Sequence, residues 1–97
     1  MYQVVISRRA TAHLKTIYRY IAKASYPSYA EDYVEAIRAE CRALANLPQR
    51  GTDCSSIRPN VRIIGFRRSA TIAFRITGDT VTIIGVYYRG LNVHAKL

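Results

Sequence analysis

Residues 57–90 constrain the fold most strongly, because they contain three runs rich in β-branched and aromatic residues. The runs are Val61–Arg67, Thr71–Thr77 and Thr80–Tyr88, and this composition is typical of strands. The break between the last two, Gly78-Asp79, is two residues long with glycine first, which suits a type II′ hairpin turn. The stretch therefore predicts an antiparallel three-stranded meander. Such a meander needs a cover for its apolar face, and the preceding residues must supply it.

The first part of that cover is a short strand followed by a helix. Gln3–Ile6 is an apolar run that predicts a strand, and Ser7 after it is a candidate N-cap. From Arg9 to Ala24 apolar residues recur at helical spacing, while lysine and arginine occupy another face. The apolar positions are Ala10, Leu14, Ile17, Ile21 and Ala24.

A second helix follows after a break at Pro27, because proline disfavours the α conformation for the residue before it. Ser28 and Glu31 match a capping box, so we predict a helix from Ser28 to about Leu47. A polar loop over residues 51–60 then leads into the meander. The apolar stripe of this helix is Ala30, Tyr33, Val34, Ile37, Cys41 and Leu44.

The predicted order of elements is β-α-α-β-β-β, which makes an α+β fold. Two amphipathic helices joined by a short connection form an antiparallel hairpin, and its apolar side can cover one face of a small antiparallel sheet. The chain has 97 residues, and we expect residues 1–97 to form a single domain.

The turn at Gly78-Asp79 also predicts which side chains face the helices, since side chains alternate along a strand. The core-facing pairs across this hairpin are Ile76 with Val81, Phe74 with Ile83, and Ile72 with Gly85. The opposite, free face then carries Ala73, Arg75, Thr82, Ile84, Val86 and Tyr88.

Two interpretations of that free face stay open. Either its apolar residues form a patch that awaits a partner, or the N-terminal strand or the C-terminal tail covers them. The register of Val61–Arg67 also stays open, because a turn of two or three residues at 68–70 turns every side chain to the other face. With a two-residue turn, Arg62 would lie opposite Arg75, a like-charge pair that a bound anion would neutralise.

The charge balance indicates a polyanionic partner, either nucleic acid or an acidic protein. The formal net charge is +9 and the isoelectric point is near 10.1. Residues 48–97 carry eight basic and two acidic side chains, against seven and four in residues 1–47. The half that contains the meander is therefore the more electropositive half.

Several kinds of site and location are not expected. No stretch has the ~20 apolar residues of a membrane span, and the N-terminus lacks a signal-peptide pattern, so we expect a cytoplasmic protein. Cys41 and Cys54 lack metal-site spacing and are expected to be free thiols, with Cys54 exposed in its loop. With His13 and His94 as the histidines of the chain, we expect no metal and no cofactor.

The basic and apolar residues of the meander half are the candidate binding residues. Taken one at a time, each arginine fits a solvated surface residue, but the cluster as a whole favours binding of a target or a partner. The candidates are Arg58, Arg62, Arg67, Arg75, Ile84, Val86, Tyr88 and Arg89.

A catalytic alternative uses some of the same residues. Cleavage of RNA needs proton-transfer groups and cations at the phosphate, which Arg75, Tyr88, Arg89 and His94 would have to supply. The meander has no carboxylate except Asp79 in its turn, and the chain has no phosphate-binding glycine loop and no nucleophile elbow. Our main prediction is therefore a protein without catalytic residues.

The chain resembles the ParE-type toxins of the ParE/RelE superfamily over nearly its whole length. Ile57-Arg58-Pro59-Asn60-Val61-Arg62, Phe74-Arg75-Ile76 and Val81–Gly90 are similar to that family's strand motifs. The helical part of this chain also resembles the helical hairpin of that family. The residues that carry this resemblance are Ala10, Leu14, Ile17, Tyr20, Ile21, Ala30, Tyr33, Ile37, Leu44, Pro48 and Gly51.

The resemblance implies the toxin of a type II toxin–antitoxin system. It implies that the toxin inhibits DNA gyrase, and that a cognate acidic, ParD-like antitoxin neutralises it in a hetero-oligomeric complex. RelE relatives are ribosome-dependent mRNA interferases, and this chain lacks a lysine pair before the meander, since Lys96 is its only lysine after Lys23. An mRNA interferase and an inactive, toxin-derived corepressor are the alternatives.

Overall fold

The computed structural model describes residues 1–89, and it has the predicted order of helices and meander strands. It also contains one strand that the sequence did not predict, the two-residue strand before the meander. In chain order the elements are β1 (Gln3–Ile6), α1 (Arg8–Ala24), α2 (Pro27–Ala43), β2 (Thr52–Asp53), β3 (Val61–Phe66), β4 (Ala70–Thr77) and β5 (Thr80–Tyr88).

The strands form one mixed sheet in the order β1-β5-β4-β3-β2. The three meander strands are antiparallel, as predicted, but β1 runs parallel to β5, with Val4 opposite Val81. The predicted antiparallel meander is therefore extended at one edge by a parallel strand, which is possible because the long chain between β1 and β5, both helices included, provides the crossover that a parallel pair requires. β1 extends the sheet sideways and so does not cover its free face.

The core lies between the two helices and one face of the sheet, which confirms the predicted helical cover. Phe74 is fully buried at its centre, where it packs with residues from both helices and the meander. Of the predicted apolar stripes only Ala24 is exposed. The helical residues of the core are Ala10, Leu14, Ile17, Ile21, Ala30, Tyr33, Val34, Ile37, Cys41 and Leu44.

The two helices begin in different ways. The Ser7 hydroxyl accepts a hydrogen bond from the backbone N–H of Ala10 at 3.0 Å, which confirms the predicted N-cap. The second helix begins one residue earlier than predicted, with Pro27 in its first turn and Tyr26 as an N-cap that makes no side-chain bond. Proline suits the first helical position because its φ is already helical and its missing N–H would be unpaired there. The predicted capping box at Ser28 is therefore wrong, and α2 ends at Ala43 rather than near Leu47.

We expect Ser7→Ala to lower the free energy of unfolding by about 1 kcal/mol, since it removes the acceptor for an N-terminal N–H of α1. Ser28→Ala is the matched control, because Ser28 lies inside the first turn of α2 and is not its N-cap. We expect that change to stay within about 0.5 kcal/mol. Urea unfolding of both variants measures the difference, and equal losses would contradict this assignment of the caps.

The two turns of the meander fix its register. Gly78 has φ +60° and precedes Asp79, whose φ is not positive, as in a type II′ turn. The other turn has three residues, Arg67, Arg68 and Ser69, because Phe66 pairs with Ala70. Arg62 consequently lies opposite Phe74 and not opposite Arg75.

A β-bulge in β5 changes the faces of its last residues. The predicted pairs of Ile76 with Val81 and Phe74 with Ile83 are confirmed, but Ala73 then pairs with Gly85, which leaves Ile84 as the extra residue. An extra residue turns every following side chain to the other face. Val86 and Tyr88 were predicted on the free face, and that prediction is wrong, because Val86 is buried in the main core and Tyr88 packs against it. Gly85 was the available signal, since glycine inside a strand often marks a bulge.

We call the sheet surface away from the helices the outer face. Ala73 and Tyr87 are buried there in a small second cluster, against which the half-exposed Ile63 and Ile84 pack. The outer face is formed by Ile63, Ala73, Arg75, Thr82, Ile84 and Tyr87.

Candidate functional site

The structure separates the candidate binding residues, and Arg62 belongs to an anchor rather than to an open surface. Its guanidinium donates hydrogen bonds to the carbonyl oxygens of Arg50 at 2.9 Å, Gly51 at 3.2 Å and Gln49 at 3.4 Å. Asp53 lies 3.9 Å from the same group. Arg62 therefore holds the segment that follows α2 against β3, a role that periodicity does not reveal.

The loop that contains Arg58 folds back on itself around a cysteine. The backbone N–H of Cys54 donates to Val61 at 2.8 Å, and the Cys54 carbonyl accepts from Ile57 and Arg58. The Cys54 side chain is 2% exposed, so the prediction of an exposed thiol is wrong. Arg58 is half-buried beside it.

Arg75 lies on the outer face, half-exposed and next to apolar side chains. It pairs with Thr82 on β5, and Ile84 lies two residues further along that strand on the same face. Ile63 on β3 completes the half-exposed apolar part of this surface. The outer face thus combines one guanidinium with two isoleucines, as a protein-docking surface does.

A second basic surface lies at one end of the sheet, and we call it the arginine–tyrosine end. It comprises Arg67 and Arg68 in the β3–β4 turn, Tyr88 and Arg89 at the end of β5, and Tyr20 on α1. The backbone N–H of Arg89 donates to the Ser69 carbonyl at 2.7 Å, which brings the turn and the end of β5 together.

Four aromatic rings connect these residues beneath the guanidinium groups. The ring of Tyr20 meets that of Tyr88 at a centroid distance of 5.7 Å, and Tyr33 contacts both Tyr88 at 5.7 Å and Phe66 at 5.5 Å. The guanidinium carbon of Arg89 lies 5.3 Å from the Tyr88 centroid, and that of Arg67 lies 5.0 Å from the Phe66 centroid. Both arginines are therefore held over aromatic faces, where cations are attracted.

Tyr33 is the buried tyrosine of this row. Burial raises its pKa above the ordinary value, and its hydroxyl forms a 2.6 Å hydrogen bond with the Ser69 hydroxyl. A side-chain hydrogen bond with Tyr88 raises the pKa of the Arg89 guanidinium. The row is thus tied to the β3–β4 turn through Tyr33 and Ser69.

His13 on α1 takes the place of a strand partner for β5. β1 pairs only with residues 80–83 of β5, and beyond that point the N–H of Val86 donates to Nδ1 of His13 at 3.0 Å. The His13 ring also contacts Tyr87 at a centroid distance of 5.2 Å. His13 therefore has a structural role that the sequence did not reveal, and its imidazole must be neutral at Nδ1 to accept this bond.

We expect the protein to lose stability as the pH falls below about 6.5 because of His13. Burial, and then the nearby Arg9 guanidinium, lower the pKa of His13 below its ordinary value of 6.5. The folded state thus holds this proton less tightly than the unfolded chain, so the stabilisation is complete above 6.5 and is lost as the pH falls through the lowered pKa. Urea midpoints at pH 7.5 and pH 5.0 should differ more for the native chain than for His13→Asn. Parallel losses in the two proteins would contradict this role.

Within the part of the chain that it describes, the structure brings Tyr88 and Arg89 together but places Arg75 far from both. Tyr88 pairs with Ala70 at the other end of β4 from Arg75, a separation of about 17 Å along the strand. Arg75 lies on the outer face, whereas Tyr88 lies on the helix side. His94 lies outside the described residues.

The remaining titratable groups of residues 1–89 do not form a recognisable reactive centre. Burial raises the pKa of the Cys41 thiol to about 11, which makes it a poor nucleophile. Both cysteines are free and buried. Over the same residues no group of three or more metal-binding side chains is found, and none of the helices there is long and apolar enough to cross a membrane.

Comparison with known proteins agrees with this architecture. The model of one protein family, described as the ParE toxin of the type II toxin–antitoxin system parDE, matches residues 4–90. Among solved structures, a chain of the chromosomal ParDE toxin–antitoxin system from P. aeruginosa matches with a TM-score of 0.80 and 24% sequence identity. The match covers 93% of this chain and 98% of that chain, and it shows a shared fold. Curated proteins gave no match.

The family match spans both helices and all strands of the sheet apart from Gln3, the first residue of β1. It includes the Arg62 anchor, the outer face and the whole arginine–tyrosine end. The chain therefore belongs to the ParE toxins of type II toxin–antitoxin systems.

Proposed function

We propose that this ParE toxin inhibits DNA gyrase by binding it, without itself hydrolysing a substrate, and that a cognate acidic, ParD-like antitoxin neutralises the toxin. Family membership supports the proposal. The net charge of +9 also supports it, because a strongly basic chain favours an acidic partner.

The observation that carries the non-enzymatic part is the separation of Arg75 from Tyr88 and Arg89. A general acid or base must lie within hydrogen-bond reach of the proton that it transfers, or reach it through one water. Arg75 and Tyr88 lie on opposite faces and about 17 Å apart along the strand, so they do not serve one phosphate. Binding needs no such convergence.

We place antitoxin docking on the outer face. Arg75 offers a charge for a carboxylate there, and Ile63 and Ile84 offer half-exposed apolar area beside it. Arginine is enriched among the residues that contribute most of the binding energy at protein interfaces, where such residues lie in well-packed surroundings. Arg62 and Val86 leave the proposed docking set, because the first anchors a loop and the second is buried.

A supercoiling assay with purified gyrase tests the proposal. Added full-length toxin should inhibit supercoiling of a relaxed plasmid, and prior addition of the cognate antitoxin should restore it. Incubation of the same toxin with translating ribosomes should leave mRNA intact. Uninhibited gyrase would contradict the target, and cleaved mRNA would favour the interferase alternative. If the toxin affects neither gyrase nor mRNA but still binds its antitoxin, the corepressor alternative gains support.

A further inference from the structure

The arginine–tyrosine end is a second basic surface that the proposed docking on the outer face does not use. Its arginines lie in the β3–β4 turn and just beyond the end of β5, two segments joined by the bond from the Arg89 N–H to Ser69. The ion pairs formed among residues 1–89 are those of Arg42 with Glu35, Arg50 with Glu40, and Arg62 with Asp53. Arg67, Arg68 and Arg89 take part in none of these, so their charge is available to an anionic ligand.

Aromatic surface lies next to this charge. Tyr20 is 54% exposed, and its edge-to-face contact with Tyr88 holds its ring in place at the surface. A groove of about 330 Å³ runs beside the two rings, lined by Thr16, Ile17, Tyr20, Tyr88 and Arg89. An apolar groove with a guanidinium at its edge provides a planar contact and a charge contact side by side.

We propose that the arginine–tyrosine end binds single-stranded nucleic acid through its backbone and through base stacking, without reading its sequence. Each nucleotide carries a phosphate and an exposed flat base, which match a guanidinium and a tyrosine ring at neighbouring positions. A duplex hides its base faces and leaves the ring of Tyr20 without a partner. An acidic peptide can pair its carboxylates with the arginines, but it has no planar group next to each charge that could stack on Tyr20.

The three arginines set the salt dependence of this binding. If each neutralises one phosphate of a single strand, the slope of log K against log salt concentration is about −2. Removing one arginine brings the slope to about −1.4. Stacking on Tyr20 adds a part of the affinity that depends much less on salt.

The test is a fluorescence-anisotropy titration of the full-length toxin against labelled oligonucleotides of about ten nucleotides. Single-stranded DNA and its RNA counterpart separate the two natural sources of the ligand. A duplex of the same length and a glutamate-rich peptide serve as competitors. We expect single strands to bind more tightly than the duplex, and the peptide to displace them poorly.

Variants divide the stacking contribution from the charge contribution. Tyr20→Ala should weaken single-strand binding by about 5- to 150-fold at unchanged net charge, whereas Tyr20→Phe should retain it. Arg89→Gln should weaken binding and reduce the salt slope. Arg19→Gln is the charge-matched control, since Arg19 lines a different groove with Lys15 and Arg38, and it should change the affinity little. Unfolding curves confirm that each variant is folded.

Three results would overturn the proposal. The first is an absence of binding to single strands by the native chain. The second is an equal loss for Arg19→Gln and Arg89→Gln with none for Tyr20→Ala, which would indicate general attraction to polyanions. The third is that the glutamate-rich peptide binds more tightly than single strands and that Tyr20→Ala abolishes this peptide binding. That result would make this end a protein-docking surface. None of these outcomes depends on whether the toxin inhibits gyrase.

Discussion

Gly51→Ala is expected to lower the free energy of unfolding by about 2–5 kcal/mol, a large share of the stability of a small protein. Gly51 has φ +78°, a left-handed conformation that an L side chain rarely adopts. A Cβ at this position would also overlap the Ile63 carbonyl oxygen and the Ile64 side chain. The change would therefore separate β2 from β3 and disturb the carbonyl oxygens that bind Arg62.

Two other glycines separate the causes of that loss. Gly78 has φ +60° but open space around its Cα, so Gly78→Ala reports backbone strain alone, about 1–2 kcal/mol. Gly65 has neither a positive φ nor a neighbour within 4 Å, so Gly65→Ala should change stability by no more than about 0.5 kcal/mol. Urea unfolding with an unchanged m-value measures all three. A loss at Gly51 no larger than that at Gly78 would contradict the close packing of this segment on β3.

Arg75→Glu is expected to weaken antitoxin binding by about 100-fold, because it replaces an attraction to a carboxylate with a repulsion of several kcal/mol. Arg75 is half-exposed on the outer face opposite Thr82, so the variant should fold. Isothermal titration of the purified toxin with its antitoxin gives the affinity directly. The same variant should also be less toxic if the target uses the outer face.

Arg19→Glu is the control for this prediction, since it changes the net charge by the same amount on another surface. Long-range attraction is screened beyond about 8–10 Å at ordinary salt, so the control should lose less than about tenfold in affinity. Equal losses in the two variants would mean that overall charge governs binding. An unchanged affinity in Arg75→Glu would remove the outer face from the interface.

The order of elements was predictable from local signals in the sequence. The glycine at position 78 specified the hairpin, Ser7 specified the start of α1, and the apolar stripe of each helix specified its buried side. These features depend on a few neighbouring residues, which is why periodicity and turn chemistry identify them. Pro27 was a local signal as well, but the capping-box pattern at Ser28 concealed its place in the first turn of α2.

The features that were not predictable depend on contacts between distant residues. The parallel pairing of β1 with β5 joins segments far apart in the chain. The short β2 and the Arg62 anchor join the two sides of the loop between β2 and β3, where no periodic pattern reveals the contact. The bulge at Ile84 moved Tyr88 to the helix side, where it meets Tyr20 and Tyr33. The arginine–tyrosine end therefore emerges only in three dimensions, although Arg67, Tyr88 and Arg89 were candidates from the sequence.

Brief induction of the toxin without its antitoxin, with plasmid supercoiling and bulk mRNA followed in the same cells, tests the proposed mode of action most directly. Inhibition of gyrase predicts relaxed or cleaved plasmid DNA while mRNA stays intact. Cleaved mRNA with normal supercoiling would contradict gyrase inhibition and would indicate that the toxin is an mRNA interferase.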